Sequence, residues 1–227
     1  LFNREVISLK EALRNQFGVL AEIKRKSPGA GAINEHLDIL SQVEIYEKQG
    51  ACGLSVLSDF RYFGGSIEDL KHIRAVSKLP ILRKEFIVDE YQLFESKAAG
   101  ADAVLLIASI LEKEEAHHLS IVAKSLGLEI LFEIHAFEEL KLLNDEVDIL
   151  LVNNRNLKTQ QTTVNHSFEL ASYLPEHILK ISASGISGSE QLNQLQALGF
   201  NGALIGESLL RGTFRFGFTS NTFASCR

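Results

Sequence analysis

The sequence predicts a single (β/α)8 barrel, the TIM-barrel fold, with one extra helix at the N-terminus. Three observations support this fold class. Eight short apolar runs recur along the 227 residues, most intervals between them have apolar residues at helical spacing, and polar side chains follow the runs at one end. We expect one domain over residues 1–227, in which 1–18 form an N-terminal extension and 212–227 form an atypical C-terminal segment.

The eight runs are rich in Val, Ile and Leu without clean alternation, as expected for parallel strands covered on both faces. They are VLAEIK (19–24), LSVLSD (54–59), PILRKEF (80–86), AVLLIA (103–108), EILFEIH (129–135), ILLVNN (149–154), ILKISAS (178–184) and ALIGES (203–208). Strands that alternate with helices predict βαβ units and a parallel sheet. An open doubly wound sheet is the competing layout, but the turn SPGAG after the first run supplies only part of its G-x-G-x-x-G fingerprint.

Glycine ends four of the predicted helices, because the residue just past a helix end often adopts a left-handed conformation. These residues are Gly50, Gly100, Gly127 and Gly199. In the first of these helices, Leu37, Leu40 and Ile45 are predicted to form the stripe that faces the core. The extra helix is predicted from SLKEALRNQF, in which Ser8 and Glu11 have the spacing of a capping box.

The composition argues against several classes of partner and cofactor. The chain is acidic, with 23 Lys+Arg against 29 Asp+Glu, and has no basic tract, so we expect no nucleic-acid partner. No membrane-length apolar stretch and no signal-peptide pattern are visible, so we expect a cytoplasmic protein without a membrane contact. Cys52 and Cys226 lack metal-ligand spacing, no HExxH occurs, and no acid–histidine–nucleophile spacing surrounds His135. We therefore expect no metal.

Ionisable and amide side chains follow the predicted strands, whereas the beginnings of the runs are apolar or plain. Glu22 and Lys24 share one face of the first strand, because side chains alternate along a strand. Lys84, Glu133 and Asn153 follow the third, fifth and sixth strands. A lone lysine at a strand end is most often a solvated surface group. The convergence of several such groups at the end where these barrels hold their chemistry is what predicts a site.

The last two strand–helix turns, SASGIS and LIGESL, are small and contain glycine. Barrels of this kind often bind a phosphate at these turns, on backbone N–H groups and a helix N-terminus. Ser184, Gly185, Gly206 and Glu207 are the candidate donors. The sequence therefore predicts a phosphorylated small-molecule substrate.

A set of segments between residues 19 and 211 follows the order found in one enzyme family. They are AEIKRKSPGAG, SVLSD, FGGS, LRKEFI, QLFESKAAGADAVLLI, FEIH, VNNRNL, SGI and LIGESL. On these segments the chain resembles indole-3-glycerol phosphate synthase, a carboxy-lyase of tryptophan biosynthesis. The resemblance implies ring closure, decarboxylation and dehydration of 1-(2-carboxyphenylamino)-1-deoxyribulose 5-phosphate to indole-3-glycerol phosphate, with no cofactor.

The resemblance also implies roles for the strand-end residues. Lys84 is expected to protonate the oxyanion formed at C2′, and we expect its pKa to fall toward neutral for that purpose. Lys24 is expected to bind the carboxylate or phosphate and to act as a second acid. Glu22 and Glu133 are expected to orient the lysines and accept protons, and Asn153 to hold a substrate hydroxyl.

Further residues are assigned to substrate binding on the same basis. Arg155 is expected to fix an anionic group, and Ser27 lies in the turn after the first strand. The expected apolar walls of the anthranilate pocket are Phe63, Phe86, Leu105 and Leu131.

Two features depart from the family pattern. Ala183 stands where the family usually has an active-site glutamate, in the sequence Ser-Ala-Ser-Gly-Ile, so we expect slower turnover with phosphate binding retained. The C-terminal segment lacks an amphipathic helix pattern, and its phenylalanines alternate as in an extended stretch. These are Phe214, Phe216, Phe218 and Phe223.

Two alternative functions stay open at this level. Another phosphate-binding barrel, such as phosphoribosylanthranilate isomerase, would need a cysteine–aspartate pair at strand ends, but Cys52 precedes the second strand. A catalytically weak binding subunit has only Ala183 in its favour, because Lys24, Lys84 and Glu133 are retained. The oligomeric state stays open between a monomer and a fusion or complex with other tryptophan-pathway enzymes.

Overall fold

The predicted barrel is confirmed by a computed structural model, which describes residues 2–29, 31–156 and 161–216. Eight parallel strands close on themselves in sequence order. They are β1 (Gly18–Ile23), β2 (Gly53–Leu57), β3 (Ile81–Lys84), β4 (Ala103–Ile107), β5 (Glu129–Ile134), β6 (Ile149–Asn153), β7 (Leu179–Ala183) and β8 (Gly202–Ile205). The barrel closes where β1 pairs with β8, with Leu20 opposite Leu204.

Most of the α-helices connect successive strands on the outside of the barrel, whereas α1 precedes β1 and α9 follows β8. The helices are α1 (Leu9–Arg14), α2 (Ile39–Lys48), α3 (Phe60–Phe63), α4 (Ile67–Val76), α5 (Glu90–Ala99), α6 (Lys113–Ser125), α7 (Asn165–Leu170), α8 (Ser189–Ala197) and α9 (Glu207–Leu210). Three 3-10 helices cover Ala108–Ile110, Phe137–Leu142 and Ala171–Tyr173, and the loop after β1 holds a short antiparallel pair, Lys26–Ser27 with Gly31–Ala32. Within the described ranges, no helix is long and apolar enough to cross a membrane.

The predicted helix ends are confirmed, but the predicted core stripe of α2 is wrong. The four terminating glycines all have positive φ, between 70° and 95°. The buried residues of α2 are Ile39, Val43 and Tyr46, whereas Leu40 and Ile45 are 42% and 45% exposed. The stripe is displaced because Asp38 caps the helix and places Ile39 in its first turn, facing the barrel.

Apolar residues form two layers, one inside the barrel and one between the strands and the helices. Alternate strand residues point inward, so the interior layer contains one or two large side chains from most strands. Its members include Leu20, Leu82, Leu105, Leu131, Leu151, Ile181 and Leu204. The inward positions at the carboxyl ends of the strands lie above this layer, and the polar residues of the site are among them.

The helix α1 closes the opposite end of the barrel. Its Leu9 and Leu13 are fully buried and belong to the interior layer. Glycines at the beginnings of three strands make room for them: a Cβ on Gly202 would lie 2.8 Å from Leu13 Cδ2 and 2.4 Å from the Gly18 carbonyl oxygen. The extra helix predicted from the sequence is therefore the plug of the barrel floor.

The sequence analysis expected the strand beginnings to be apolar or plain, and this expectation is wrong. The strand beginnings carry buried acids that hold the N-terminal segment. Glu129 accepts hydrogen bonds from Leu9 N (2.8 Å) and Lys10 N (3.0 Å) and from the Ser8 hydroxyl. Asp102, fully buried, binds the guanidinium of Arg4. These acids lie outside the site, because they satisfy helix and loop N–H groups at the barrel floor.

The predicted cap of α1 is partly confirmed. Ser8 Oγ accepts from Glu11 N at 3.0 Å, but the Glu11 carboxylate pairs with Arg14 at 2.7 Å instead of returning to Ser8. At the other end of the chain, Phe214 and Phe216 lie in a stretch without regular structure, and Phe216 is buried. Phe218, Phe223 and Cys226 lie outside the described residues.

Candidate active site

The centre of the site is a buried carboxylate held by two lysines. Glu22 Oε1 lies 2.5 Å from Lys24 Nζ, and Glu22 Oε2 lies 3.1 Å from Lys84 Nζ. Burial alone would raise the pKa of Glu22, but the charges and hydrogen bonds of the two lysines lower it to about 2. Glu22 is thus ionised at neutral pH, and the strand alternation expected from the sequence places it beside Lys24.

The expectation that the pKa of Lys84 falls toward neutral is wrong. Burial acts in that direction, and so does the nearby charge of Arg155. The carboxylates of Glu22 and Glu133 outweigh both, so the pKa of Lys84 is raised above its ordinary value. Lys84 is therefore an ammonium at neutral pH, the form that can donate a proton.

Arg83 and Lys84 point to opposite sides of β3, and Lys84 points into the barrel. Arg83 faces the outer layer, where its Nε donates to Ser58 Oγ (2.9 Å) and its Nη2 pairs with Glu95 (2.7 Å). Ser58 in turn donates to the Glu85 carboxylate at 2.5 Å. This network fixes the end of β3, so that the Lys84 side chain is held toward Glu22.

A second polar pair lies at the ends of β5 and β6. Asn153 Nδ2 donates to Glu133 Oε1 at 3.0 Å, and both residues are buried. Asn153 Oδ1 accepts from the backbone N–H of Arg155 at 3.1 Å. His135 Nε2 lies 3.3 Å from the same Glu133 oxygen. The amide therefore orients the carboxylate, and the turn after β6 orients the amide.

Four of these groups, Lys24, Lys84, Glu133 and Asn153, line a cavity of about 350 Å³ at the carboxyl ends of the strands. Glu22 does not line it and contacts it only through the two lysines. The cavity contains the predicted residues Lys24, Ser27, Phe63, Lys84, Phe86, Leu105, Glu133, Asn153 and Arg155. The sequence analysis assigned no role to the other lining residues, which are Pro28, Leu57, Asp59, Tyr62, Glu85 and Ile107. Leu57 and Ile107 could have been found from strand alternation, since each lies two residues after another inward position.

Leu131 does not form a wall of this cavity, in contrast to the expectation. It is fully buried in the interior layer. Glu133, two residues further along β5, occupies the next inward position and lines the cavity instead. Leu131 thus supports the cavity floor from below.

The two glycine-containing turns line a second cavity, of about 310 Å³. Gly185, Gly206 and Glu207 contribute to it, and Ser187 and Ser208 add hydroxyl groups. Both Lys24 and Arg155 line this cavity as well as the first one, so the two cavities adjoin. The arrangement fits an elongated substrate with an apolar ring at one end and an anionic group at the other.

Ser184 is not among the residues that line the second cavity. Its backbone has φ 72°, and its carbonyl oxygen accepts from Asn154 Nδ2 at 2.9 Å. Gly185 follows with φ 74°. Two successive left-handed residues reverse the chain sharply, which turns Ser184 toward Asn154 and leaves the cavity wall to Gly185.

Glycine is required at position 206 because of Glu22. A Cβ there would lie 2.4 Å from Glu22 Oε1. The carboxylate that holds the two lysines therefore packs directly against the turn of the second cavity. This contact links the proposed phosphate site to the charged centre.

Ala183 is buried at the last inward position of β7, with 1% of its surface exposed. It lies opposite Asn153 in the β6–β7 register. A carboxylate at this position would face the amide that holds Glu133. Ala183 is thus a neighbour of the Glu133–Asn153 pair, although it does not itself line the cavity.

Comparison with known proteins gives one consistent family. The family model of indole-3-glycerol phosphate synthase matches residues 2–215. The indole-3-glycerol phosphate synthase of Bacteroides thetaiotaomicron is 45% identical over 205 residues, which cover 90% of this chain and 79% of that protein. That of Carboxydothermus hydrogenoformans is 44% identical over 205 residues, covering 89% and 78%.

Solved structures with a similar fold are more distant in sequence. A 3-hexulose-6-phosphate synthase from Salmonella typhimurium has a TM-score of 0.66 at 15% identity, covering 87% of this chain and 94% of its own. A mutant tryptophan synthase alpha-subunit from Pyrococcus furiosus has a TM-score of 0.63 at 17% identity, covering 86% and 89%. At these identities the likeness concerns the fold alone.

Proposed function

Because the chain belongs to the indole-3-glycerol phosphate synthase family, it is a carboxy-lyase of tryptophan biosynthesis, and we propose that the strand-end residues described above carry its reaction. The substrate is 1-(2-carboxyphenylamino)-1-deoxyribulose 5-phosphate. The observation that supports this use of the site is the Lys24–Glu22–Lys84 cluster between an apolar cavity and a glycine-lined cavity.

Ring closure needs a proton donor at the C2′ carbonyl. The aromatic carbon that bears the carboxylate bonds to C2′, and the carbonyl oxygen takes a proton as its π electrons move onto it. Lys84 is our candidate, because its raised pKa keeps it protonated and its Nζ lies at the cavity wall. The C–CO2 bond then breaks, and its electrons restore the aromatic ring as CO2 leaves.

Dehydration needs an acid and a base. The C2′–OH bond breaks and the hydroxide leaves with a proton as water, while a C1′–H bond supplies the electrons of the new double bond. Lys24 is placed to donate the first proton, since it lines both cavities. Glu133 is placed to accept the second, with Asn153 fixing its orientation.

Substrate binding divides between the two cavities. Phe63, Phe86 and Leu105 supply apolar surface for the anthranilate ring. The backbone N–H groups of the β7 and β8 turns receive the phosphate, and Arg155 and Lys24 lie between, where they can meet the substrate carboxylate or the phosphate.

The isomerase alternative finds no support in the site. Cys52 lies at the beginning of β2, at the barrel floor, and a Cβ on the floor residue Gly18 would lie 2.5 Å from its Sγ. Burial raises the pKa of its thiol to about 12, so it cannot act as a base at neutral pH. The other cysteine lies outside the described residues.

The test is formation of indole-3-glycerol phosphate from the named substrate, followed by indole fluorescence. We expect Lys84→Ala to lower kcat by roughly 10²–10⁴-fold, the usual contribution of a general acid. Lys71→Ala is the matched control, because Lys71 is exposed and pairs with Glu68 on the surface of α4. A Lys84→Ala protein with the wild-type kcat would contradict the assigned role, and wild-type protein that binds the substrate without turnover would favour the binding-subunit alternative.

A further inference from the structure

We propose that Asn154 is a positioning residue for phosphate binding, whose side-chain amide fixes the direction of the Gly185 N–H in the turn after β7. The inference rests on the proposed function, in which that turn receives the substrate phosphate. Asn154 lines neither of the two cavities of the site, and it acts through the Ser184 carbonyl group.

The first observation is that every hydrogen-bonding position of the Asn154 side chain is used. Its Nδ2 donates to Ser182 Oγ and to the Ser184 carbonyl oxygen, both at 2.9 Å. Its Oδ1 accepts from the backbone N–H of Ser167 at 2.9 Å and from the Ser167 hydroxyl at 2.8 Å. A backbone N–H can only donate, so this contact decides which end of the amide faces Ser167 and which faces Ser184.

The second observation is that the amide belongs to a closed and buried hydrogen-bond network. Ser167 Oγ lies 2.7 Å from Ser182 Oγ, which closes a ring with Asn154. Asn154 is 3% exposed, and the two serines are fully buried. A buried network whose members are all satisfied holds its side chains in one arrangement. The amide is therefore a fixed support for the turn.

The third observation is the conformation of the residue that the amide holds. Ser184 has φ 72°, and it is the only non-glycine residue with positive φ in the part of the chain that the structure describes. A residue with a Cβ adopts this conformation at a cost in free energy, so it persists only where its surroundings enforce it. The hydrogen bond from Asn154 to the Ser184 carbonyl oxygen supplies that enforcement.

The peptide group between Ser184 and Gly185 links this support to the substrate. In a planar trans peptide the C=O and N–H bonds point in opposite directions. The Ser184 carbonyl points toward Asn154, so the Gly185 N–H points away from Asn154 and toward the second cavity, which Gly185 lines. Within residues 2–29, 31–156 and 161–216, this N–H donates to no other residue. It is thus available to a phosphate oxygen.

Loss of the Asn154 amide would free this peptide to rotate, because glycine at position 185 resists rotation less than any other residue. A rotated peptide directs the Ser184 carbonyl oxygen into the second cavity, where it repels a phosphate. The contact of Asn153 with Glu133 does not involve the Asn154 side chain and stays in place. The expected defect is therefore in substrate binding and not in the chemical steps.

The test measures KM, kcat and competitive inhibition by inorganic phosphate for Asn154→Ala and Asn154→Asp. Aspartate keeps the acceptor for Ser167, but an ionised carboxylate cannot donate to the Ser184 carbonyl. We expect both variants to raise KM and the inhibition constant of phosphate by about tenfold or more, the usual effect of losing a hydrogen bond to a charged group, and to keep kcat within about threefold of wild type.

Ser167→Ala is the matched control, because it removes a hydroxyl from the same network and leaves the hydrogen bond between Asn154 and Ser184 in place. It should lower thermal stability, while KM and phosphate inhibition stay within about twofold of wild type. Similar rises in KM for Ser167→Ala and Asn154→Ala would overturn the proposal, since they would indicate a general loss of packing.

Wild-type KM in the two Asn154 variants would overturn it, and so would equal losses in kcat and kcat/KM with unchanged inhibition by phosphate. If neither variant folds, inorganic phosphate added to wild-type protein with isotope-labelled glycine decides the matter. The Gly185 amide resonance should then shift, and an unshifted resonance would overturn the proposal. All these results leave the proposed function intact, because that function fails only if the wild-type protein forms no product.

Discussion

At the residue scale, Glu22 determines the charge state of the site. One carboxylate holds two ammonium groups at 2.5 and 3.1 Å, in a position where burial alone would favour its neutral form. The lysine charges outweigh that burial, and the Glu22 charge in turn helps to raise the pKa of Lys84. The pKa values of Glu22 and Lys84 are therefore coupled.

Glu22→Gln tests this coupling. Without the Glu22 charge, only Glu133 opposes the lowering effects of burial and Arg155 on the pKa of Lys84, so that pKa should fall. The alkaline limb of the kcat/KM profile should then move to lower pH. Glu44→Gln, in an exposed pair with Lys48, is the control. An unchanged alkaline limb would show that Lys84 does not supply the titrating proton.

Ala183→Glu tests the departure from the family pattern. The new carboxylate would face Asn153 from β7, where the family usually has a glutamate. We expect kcat to rise by roughly tenfold or more while KM stays within about threefold, because the phosphate turn is unchanged. Ala183→Gln has nearly the same size without the charge and should give no gain. Equal kcat values for Ala183→Glu and Ala183→Gln would contradict the expectation that the missing carboxylate slows turnover.

Residue identities could be predicted from sequence better than residue environments. Lys84 and Glu133 were found from their strand-end positions and family motifs, and the structure brings them to one cavity. The direction of the Lys84 pKa shift was not predictable, because it depends on which of several charges lies nearest. No role was assigned to His135 from the sequence, because no acid–histidine–nucleophile spacing surrounds it.

At the element scale, α1 stabilises the barrel at the end opposite the active site. Leu9 and Leu13 fill the floor, and Glu129 binds the first N–H groups of the helix. The site lies at the opposite ends of the same strands. Changes in α1 should therefore affect folding and leave the active-site geometry alone.

Leu13→Ala tests this separation. Loss of a fully buried leucine should lower the free energy of unfolding by about 2–5 kcal/mol, because the interior layer cannot collapse around the space. The kcat of the folded protein should stay within about twofold of wild type. Leu40→Ala, at a position 42% exposed on α2, should cost less than about 1 kcal/mol in the same denaturant titration. A large fall in kcat for Leu13→Ala would show that the floor and the site are coupled.

Element boundaries were predictable where local chemistry sets them. Glycine in a left-handed conformation ends the helices at the expected positions, as at Gly50 and Gly100. The face of α2 was missed by one residue, since the position of the Asp38 cap decides which residues face the barrel. The role of α1 could not be read from its own sequence, because the strand glycines that receive Leu9 and Leu13 lie far along the chain.

At the scale of the whole molecule, closure of the barrel assembles the site. Glu22, Lys84 and Glu133 come from three strands separated by more than 100 residues of chain, and only the β1–β8 pairing completes the ring around them. Eight apolar runs predicted this closure, because eight βα units are the usual number for such a barrel. The cavities could not be predicted, as their walls depend on loop conformations and on which inward residues are small.

The free energy of unfolding in acid should depend on the ionisation of Glu22. The pKa of Glu22 is about 2 in the folded protein and near 4.5 in the unfolded chain, so the unfolded chain binds more protons between these values. The cluster thus contributes stability above about pH 4.5, and that contribution is lost as the pH falls toward 2. The difference in unfolding free energy between wild type and Glu22→Gln should shrink over this window. A difference independent of pH would contradict the lowered pKa.

The most direct test of the central claim is a crystal structure with indole-3-glycerol phosphate bound. We predict the phosphate within hydrogen-bond distance of backbone N–H groups of Gly185 and Gly206, and the indole ring between Phe63 and Leu105, with Lys84 and Glu133 facing the ring. Product bound elsewhere, or bound here with Lys84 directed away from the ring, would contradict the claim that these strand ends form one catalytic site.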